Sequence, residues 1–333
     1  MTTPSKTRIA PWRTIGKDID GLSYGEALIE AGLDYEVHSC PVEVKIPVGI
    51  DDVVTRRLDN KKLTYRSDTL DPLGIVGNRY KVTQMRELES VMNTLLGDGW
   101  QPISAGSLLH GRQAFMVGRI PFESISGEFD ANLGVVNSFD GSTGVRFVTT
   151  PLRPRCCNAI GLMLRNAKST FTLRHTSSIL DRITEARQAL GLADAYYKAF
   201  DEEIEKLLEF EMSPGTPEVE AVMDKLVPPA FYSKTQQSWF DEQSMNPISE
   251  RSARMRENKR DGIVRNWLSS DTIQDNRHTA WGFLNAVNEW EQWVRNAKSV
   301  NARAERNLKS QLQRGGTLTE KTHSGLLELG TAA

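Results

Sequence analysis

Hydrophobic and polar positions alternate over residues 35–46, and this period of two predicts β-structure near the start of the chain. Shorter extended pieces are predicted at 65–68 and 73–82, on either side of a turn at Asp71-Pro72. The spacing of apolar residues then changes to that of a helix, whose buried face comprises Leu88, Val91, Met92, Leu95 and Leu96. Gly97 predicts the end of this helix.

Two β-hairpins are predicted between residues 100 and 150, because glycine-containing turns separate apolar runs there. The first turn is His110-Gly111-Arg112, and the second is Asp140-Gly141. Asp-Gly between apolar runs is a strong short-range signal for a hairpin, since both residues tolerate a left-handed backbone. Trp100 precedes the first hairpin and is predicted to fill the space between the sheet and the helix.

The second half of the chain is predicted to be mostly helical. The predicted helices cover residues 156–167, 178–208 and about 278–312, and a short helix starts at Pro217. The last of the long helices has an apolar stripe made of Trp281, Leu284, Val287, Trp290 and Val294. A flexible tail is expected after Gly315-Gly316.

Together these patterns predict an α+β fold with a mostly antiparallel sheet, followed by a helical C-terminal region. We expect an α+β core over residues 1–190, a helical region over residues 191–314 and the flexible tail over residues 315–333. A length of 333 residues agrees with about two domains.

The cysteines and the apolar runs indicate a cytoplasmic protein. Cys40, Cys156 and Cys157 are odd in number, and two are adjacent, so we expect no disulfide framework and a reducing compartment. The polar first residues lack the apolar stretch of a signal peptide. No run approaches the roughly 20 apolar residues of a membrane span, so no membrane partner is expected.

A net charge of −2 conceals a basic–acidic–basic layout. Residues 145–190 carry eight basic residues against two acids, a net charge of +6. Residues 194–224 carry ten acids against two lysines, a net charge of −8. Residues 251–314 carry thirteen basic residues against seven acids, again +6. The basic stretches suit phosphate contacts, whereas the acidic helix is either a solvated face or a contact for a basic neighbouring subunit.

Several short stretches resemble a phage- and plasmid-borne family of unknown function, domain-of-unknown-function family 932. The stretches are Leu73-Gly74-Ile75-Val76 to Tyr80, Asp140-Gly141-Ser142 to Arg153, Cys157-Asn158, Arg174-His175-Thr176 with Glu185-Ala186-Arg187, and Thr279-Ala280-Trp281 with Asn285-Ala286-Val287. They span residues 66–290. The resemblance is specific as a family assignment but implies no activity.

A second resemblance concerns function. Tyr80, a helix, Gly97-Asp98-Gly99-Trp100, a hairpin, a further strand and a helix are similar to the β-β-β-α core of single-strand annealing proteins in the Rad-fifty-two superfamily. This sequence has one residue fewer between its glycines, and it has prolines at 151 and 154 that those proteins do not require. The likeness covers only about residues 65–168.

This second resemblance implies an annealase-like core with a curved sheet, a homo-oligomeric ring or filament, and single-stranded DNA in a basic groove. It implies no nucleotide cofactor. The groove would be lined by basic residues of the hairpin and of the helix after the sheet, which here are Arg112, Arg146, Arg153, Arg155, Arg165 and Lys168, and Arg174 is a further phosphate contact. The expected activity is single-strand binding and annealing in phage recombination, without nucleotide hydrolysis.

The sequence offers little for catalysis or for cofactors. Cys156, Cys157 and His175 lack the spacing of a zinc site, and no third group orients a Cys157–His175 pair, so we expect no metal and no catalytic residue. No phosphate-binding loop of the Gly-x-x-x-x-Gly-Lys type occurs. A metal-dependent nuclease that uses the acids of residues 201–211 stays open as a lesser alternative.

The main alternative is a non-enzymatic phage structural or host-interaction protein that oligomerises through its C-terminal helices. Trp281 and Trp290 lie on the apolar stripe, so they belong to the core or to a subunit contact. Trp293 lies off the stripe and is the tryptophan to test first as a platform for base stacking.

Overall fold

The computed structural model describes residues 8–49, 52–153, 158–159, 170–173, 179–228, 250–313 and 317–330. The described strands are β1 Lys17–Asp18, β2 Val37–Pro47, β3 Val53–Arg66, β4 Pro72–Gly77, β5 Gln101–Leu108, β6 Gln113–Arg119, β7 Asn132–Ser138, β8 Val145–Thr149, β9 Leu152–Arg153, β10 Asn158–Ala159 and β11 Thr170–Leu173. The described α-helices are α1 Pro11–Ile15, α2 Tyr24–Glu30, α3 Glu89–Gly97, α4 Ile179–Glu209, α5 Pro217–Leu226, α6 Glu250–Ser269, α7 Ala280–Glu289, α8 Val300–Gln313 and α9 Leu318–Gly330.

The central sheet is antiparallel and has the strand order β1-β5-β6-β7-β8-β11 in the described part of the chain. Strands β5 to β8 form a meander, in which each strand pairs with the next along the chain. Both predicted hairpins are confirmed. Leu109, His110 and Gly111 have positive φ in the first turn, and Gly141 has a φ of 74° in the second. Glycine adopts this backbone conformation without steric cost.

Helices cover both faces of the central sheet. On one face, α2, α3 and α4 pack over residues such as Met116 and Val135. On the other face, Trp12 of α1 and Leu308 of α8 pack over Phe115. Strands β6 and β7 are therefore buried at almost every position. Adjacent residues of these strands point to opposite faces of the sheet and pack into two separate apolar clusters. Both strands are therefore hydrophobic at nearly every position.

The central sheet has the β5–β6 and β7–β8 turns at one end, which we call the turn end. A second sheet of three strands, β2-β3-β4, lies at this end. Thr64 is fully buried, and its hydroxyl donates a hydrogen bond of 2.8 Å to the backbone oxygen of Phe139. Beyond a register shift between Pro41 and Val42, residues 42–47 pair with residues 53–58 and extend past β4. We call these two six-residue segments the hairpin arm.

The predicted boundary at residue 190 falls inside one continuous helix. Helix α4 packs against α3 and strand β8 in the α+β half, and against α7 in the helical half. A single apolar cluster extends from Ile19 to Leu326 through both halves. The two predicted units therefore share one core, and their boundary is not a linker.

Two predictions for the C-terminal region need correction. The expected helix over 278–312 ends in a π-helix, Trp290–Val294, and the chain starts again as α8. The Ser299 hydroxyl accepts from the Ala302 backbone N–H, so a polar residue caps a new helix. The expected flexible tail instead contains α9, which buries Leu318 and packs against α5 and α7.

Several local predictions are confirmed, and two predicted elements differ from those in the structure. Helix α3 ends at Gly97, α5 begins with Pro217, and Trp100 is buried between sheet and helix. The extended piece predicted at 73–82 is a strand only as far as Gly77. The helix predicted at 156–167 is wrong at residues 158–159, which form strand β10 and pair with β9, and the rest of that segment lies outside the described residues.

Trp100 crosses β6 at Gly118 and donates from Nε1 to the backbone oxygen of Leu133 on β7. A β-carbon at Gly118 would lie 2.2 Å from the Trp100 ring. We therefore expect Gly118→Ala to lower the free energy of unfolding by about 1–3 kcal/mol, because the buried ring has to move. Urea unfolding measures the change.

Gly97→Ala is the matched control for this prediction. A β-carbon at Gly97 meets nothing within 4 Å, and the residue lies in the last turn of α3. The exchange is expected to leave stability unchanged or to raise it by less than about 1 kcal/mol. Equal losses in the two variants would contradict the role given to the Trp100 contact.

Candidate nucleic-acid interface

Two of the predicted phosphate contacts lie near the turn end of the central sheet. Arg112 is exposed at the end of the β5–β6 turn, and its backbone oxygen accepts a bond of 2.8 Å from Phe139. Arg146 is half-buried on β8, opposite Val136 of β7 and Thr172 of β11. Arg112 can reach a bound anion directly, while Arg146 already has interactions within the protein.

Arg153 does not fit its predicted role as a phosphate contact. It is 1% exposed, and its Nε lies 2.9 Å from the Glu128 carboxylate. The physical reason is the bridge between Leu152 and Asp130, which continues the register of β7 with β8 and holds Arg153 beside Glu128. Its guanidinium is committed to a buried ion pair and is closed to solvent.

The described arginines among the predicted phosphate contacts do not line one groove. Arg112 lies beside Phe139, just beyond one end of β7, whereas Arg153 follows the bridge to Asp130 at the other end. β7 has seven residues. At about 3.3 Å per residue, the two arginines are attached to the sheet roughly 20 Å apart. The remaining predicted contacts lie outside the described residues and stay predictions: Arg155, Arg165, Lys168 and Arg174.

Glu128 is the acceptor for three groups from distant parts of the chain. Its carboxylate accepts hydrogen bonds of 2.9 Å from Arg153 Nε, Trp281 Nε1 and Asn276 Nδ2. Burial alone raises the pKa of Glu128, but the Trp281 bond, the Arg153 charge and hydrogen bond, and the Asn276 bond outweigh it. The pKa is therefore lowered, and the carboxylate stays ionised.

The nuclease alternative would use the acids of residues 201–211 as metal ligands. Two of these acids instead make contacts that stabilise the fold. Asp201 accepts from the backbone N–H groups of Ile125 and Ser126 and thereby holds that loop on α4. Glu203 pairs with the buried His323 at 3.1 Å, and the hydrogen bond from His323 lowers the pKa of Glu203. Among the described residues, no group of three potential metal ligands occurs.

A group of basic residues gathers where the C-terminal helices meet. One comes from α6, one follows the π-helix, two come from α8 and one comes from α9. These residues are Lys259, Arg295, Arg303, Arg306 and Lys321, and we call them the C-terminal basic cluster. Its two exposed members, Arg295 and Lys321, make no ion pair with any described residue.

Positive charge in this cluster is only partly neutralised. Burial and then the Arg295 charge lower the pKa of Lys259, and burial and the charges of Arg295 and Arg303 lower that of Arg306. Glu291 opposes both shifts, but its carboxylate also accepts from the first backbone N–H groups of α9, at Leu318 and Thr319. The cluster is therefore a site of excess positive charge that an anion would relieve.

Two tryptophans of the interrupted helix lie beside basic side chains. Lys259 is 6.0 Å from the centre of the Trp290 ring, and Arg8 is 5.8 Å from that of Trp293. Arg8 also pairs with the fully buried Glu289 at 2.6 Å. Both rings are half-buried, so they are partly accessible beside the cations.

Sequence reasoning did not single out the C-terminal basic cluster, although one signal was present. The +6 charge of residues 251–314 marks the stretch that supplies four of its members. Which of the thirteen basic residues converge depends on the break at residues 295–299 and on α9, and neither was predicted.

The comparisons with known proteins identify the family. Residues 72–312 match the model of the family described as a domain of unknown function, DUF932. The match covers most of the chain, and the protein belongs to this family. No curated protein and no solved structure matches the chain. In the part of the chain that the structure describes, no helix has the length and apolar character that crossing a membrane requires.

Glu128→Gln is expected to lower the free energy of unfolding by about 3–5 kcal/mol, because Arg153 would keep a buried charge without its counter-charge. Urea unfolding near neutral pH measures this loss. Adding Arg153→Met should recover part of it, since the second exchange removes the unpaired charge. Asp194→Asn breaks the exposed pair with Lys198 and should cost less than about 1 kcal/mol.

The loss caused by Glu128→Gln should also depend on pH. The pKa of Glu128 is lower in the folded protein than its ordinary value of 4.5, so its stabilising effect is complete above that pH. It disappears as the pH falls through the lowered pKa, and the two proteins then converge in stability. A difference that stays constant down to the lowest pH at which both proteins fold would contradict the ionised state.

Proposed function

We propose that this protein binds single-stranded DNA and anneals complementary strands in phage recombination, without nucleotide hydrolysis. The observation that carries the proposal is the C-terminal basic cluster, in which five cations from four parts of the chain lie around Glu291, an acid that already accepts from the start of α9. The cluster offers phosphate groups a site at which excess positive charge is already assembled.

Annealing needs positioning rather than bond chemistry. Base pairing supplies the free energy, so the protein has to neutralise phosphates, hold one strand extended and leave the base edges accessible. Cations meet the first need, and half-buried aromatic rings beside them, such as Trp290 and Trp293, suit the stacking of bases. An oligomer that aligns several weak sites would meet the second need.

The order of elements supports the same proposal. Helix α3 is followed by the antiparallel meander of β5 to β8, and the long helix α4 comes after β9, β10 and β11. A helix before an antiparallel sheet and a helix after it are elements of an annealase-like β-β-β-α core, and we include that core and its curved sheet in the proposal. Arg112, at the turn end of the sheet, is the described residue that we assign to a second phosphate contact.

The remaining parts of the proposal follow from the resemblance to annealing proteins. They are a homo-oligomeric ring or filament, action in the cytoplasm of the host cell, and phosphate contacts by Arg155, Arg165, Lys168 and Arg174. The alternative of oligomerisation through the tryptophan stripe finds less support. Trp281, Leu284 and Val287 are all fully buried in the core of their own chain.

Charge reversal at the two exposed members of the basic cluster tests the proposal. We expect Arg295→Glu with Lys321→Glu to weaken binding to an oligonucleotide of about 30 nucleotides by at least about tenfold, because two phosphate contacts become repulsive. Fluorescence anisotropy at about 50 mM and about 200 mM salt measures the affinity. The slope of log K against log salt should fall by about 1.4, at about 0.7 per contact.

Lys198→Glu with Lys225→Glu is the matched control, since it changes the net charge equally. Both lysines are exposed and already paired, with Asp194 and Glu328. This variant should keep at least half of the wild-type affinity. Annealing of a quencher-labelled complement should slow only in the cluster variant. Absence of wild-type binding at low salt, or equal losses in both variants, would overturn the proposal.

A further inference from the structure

The hairpin arm has an apolar face and a polar face. On β2 the side chains of Val42, Val44 and Ile46 share one face of the strand. On β3 they lie opposite Leu58, Arg56 and Val54, so this face is apolar except at Arg56. Val44 is 37% exposed and Ile46 is 45% exposed. A two-stranded hairpin with an uncovered apolar face has marginal stability in water, so a partner that covers this face would stabilise the arm.

The outer edge of β2 is open along the arm. At the base of β2, the Gln84 side chain satisfies the backbone N–H and C=O of Val37. No described residue does the same for residues 42–47. The Val48 N–H donates to Asp52 across the hairpin, so even-numbered residues point their backbone groups inward. The backbone groups of Glu43 and Lys45 therefore point outward.

The sequence along this open edge is self-complementary. Residues 41–47 read Pro-Val-Glu-Val-Lys-Ile-Pro, with Val44 at the centre. If two such strands run antiparallel and cross at Val44, Glu43 of each lies opposite Lys45 of the other. Val42 of each then lies opposite Ile46 of the other, on the same face as Val44. Opposite charges and apolar groups thus match at every position between the prolines.

We propose that two copies of this protein associate by pairing their β2 strands edge to edge, with the two-fold axis at Val44. The outward N–H and C=O groups of Glu43 and Lys45 then form four hydrogen bonds between the subunits. The apolar faces of both arms join into one stripe across the dimer. This contact is independent of DNA binding.

The prolines fix the extent and the register of this contact. Pro41 and Pro47 stand at outward-facing positions, where they have no N–H to donate, so the ladder ends on both sides. A slip by two residues would place Glu43 opposite Glu43 or Lys45 opposite Lys45 and would lose the pairing of opposite charges. The same prolines keep the edge from adding further strands, which favours a closed dimer over a fibre.

A single cysteine at the centre of the strand tests the register. In the proposed dimer the two Val44 residues form a non-hydrogen-bonded pair with Cα atoms about 4.5 Å apart, which permits a disulfide. Val44→Cys should therefore give a covalent dimer under mild oxidation of the full-length protein. Wild-type protein, with Cys40, Cys156 and Cys157, sets the background on a non-reducing gel.

Ile46→Cys is the matched control for the crosslink. It lies on the same face, but in the dimer the two introduced cysteines are four residues out of register, about 13 Å apart along the strands. This variant should give no crosslink above background. Equal crosslinking of both variants, or crosslinking of neither, would overturn the proposed pairing.

Charge exchange tests the complementarity by sedimentation equilibrium without DNA. Glu43→Lys and Lys45→Glu should each raise the dimer dissociation constant about tenfold, because two attractive pairs become two repulsive ones. Mixing the two variants should restore association as a heterodimer, and so should the double exchange in one chain. Each outcome depends on residues outside the C-terminal basic cluster, so failure here leaves DNA binding as a separate question.

Arg57→Glu controls for damage inside the arm, since Arg57 lies opposite Glu43 on β3. It creates a like-charge pair within the arm and leaves the outer edge unchanged, so the dimer should persist. A wild-type protein that stays monomeric at all concentrations, dimers insensitive to Glu43→Lys, or mixed variants that fail to associate would overturn the proposal.

Discussion

The partly buried carboxylate of Glu128 is the constraint on which the arrangement of this protein depends. It joins Arg153 at the end of the meander to Asn276 and Trp281 in the helical region, so both halves meet at one charge. Each partner needs the others, because a carboxylate or a guanidinium buried alone costs several kcal/mol. Arg153 is closed to solvent at this contact, and the contact in turn joins the helical region to the end of the sheet.

The basic residues that the structure describes include two kinds, those held by acids and those whose charge is only partly neutralised. Arg153 and Arg260 are engaged by acids, the latter by Glu220 and Asp224, and they serve the fold. The C-terminal basic cluster is different, because burial and neighbouring cations lower the pKa of Lys259 and of Arg306, and the acid beside them, Glu291, also caps a helix. Its exposed members, Arg295 and Lys321, are accessible to a ligand, and the location of the cluster could not be predicted from net charge.

Local elements could be predicted from the sequence, whereas long-range partners could not. Helix α3, the hairpins and the start of α5 depend on residues a few positions apart, so spacing and turn chemistry suffice. Arg153 was taken as a phosphate contact because its partner, Glu128, lies 25 positions away, and Trp281, which also donates to Glu128, lies 153 positions from that acid. The helix predicted over about 278–312 likewise continued across residues 295–299, where the cap at Ser299 starts a new helix. The partner of a buried arginine and the end of a helix depend here on contacts between residues far apart in the sequence, which a short stretch of sequence does not contain.

The covered central sheet determines where this protein can meet a partner. Because helices lie over both faces, no strand of the meander offers an open surface, and recognition is left to edges, turn ends and helix junctions. The hairpin arm and the C-terminal basic cluster are two such places, and they have no residue in common. A dimer joined by the arms would carry two basic clusters on one particle. Two weak contacts with the same strand gain through effective concentration, so a modest cluster can be sufficient when the arms pair.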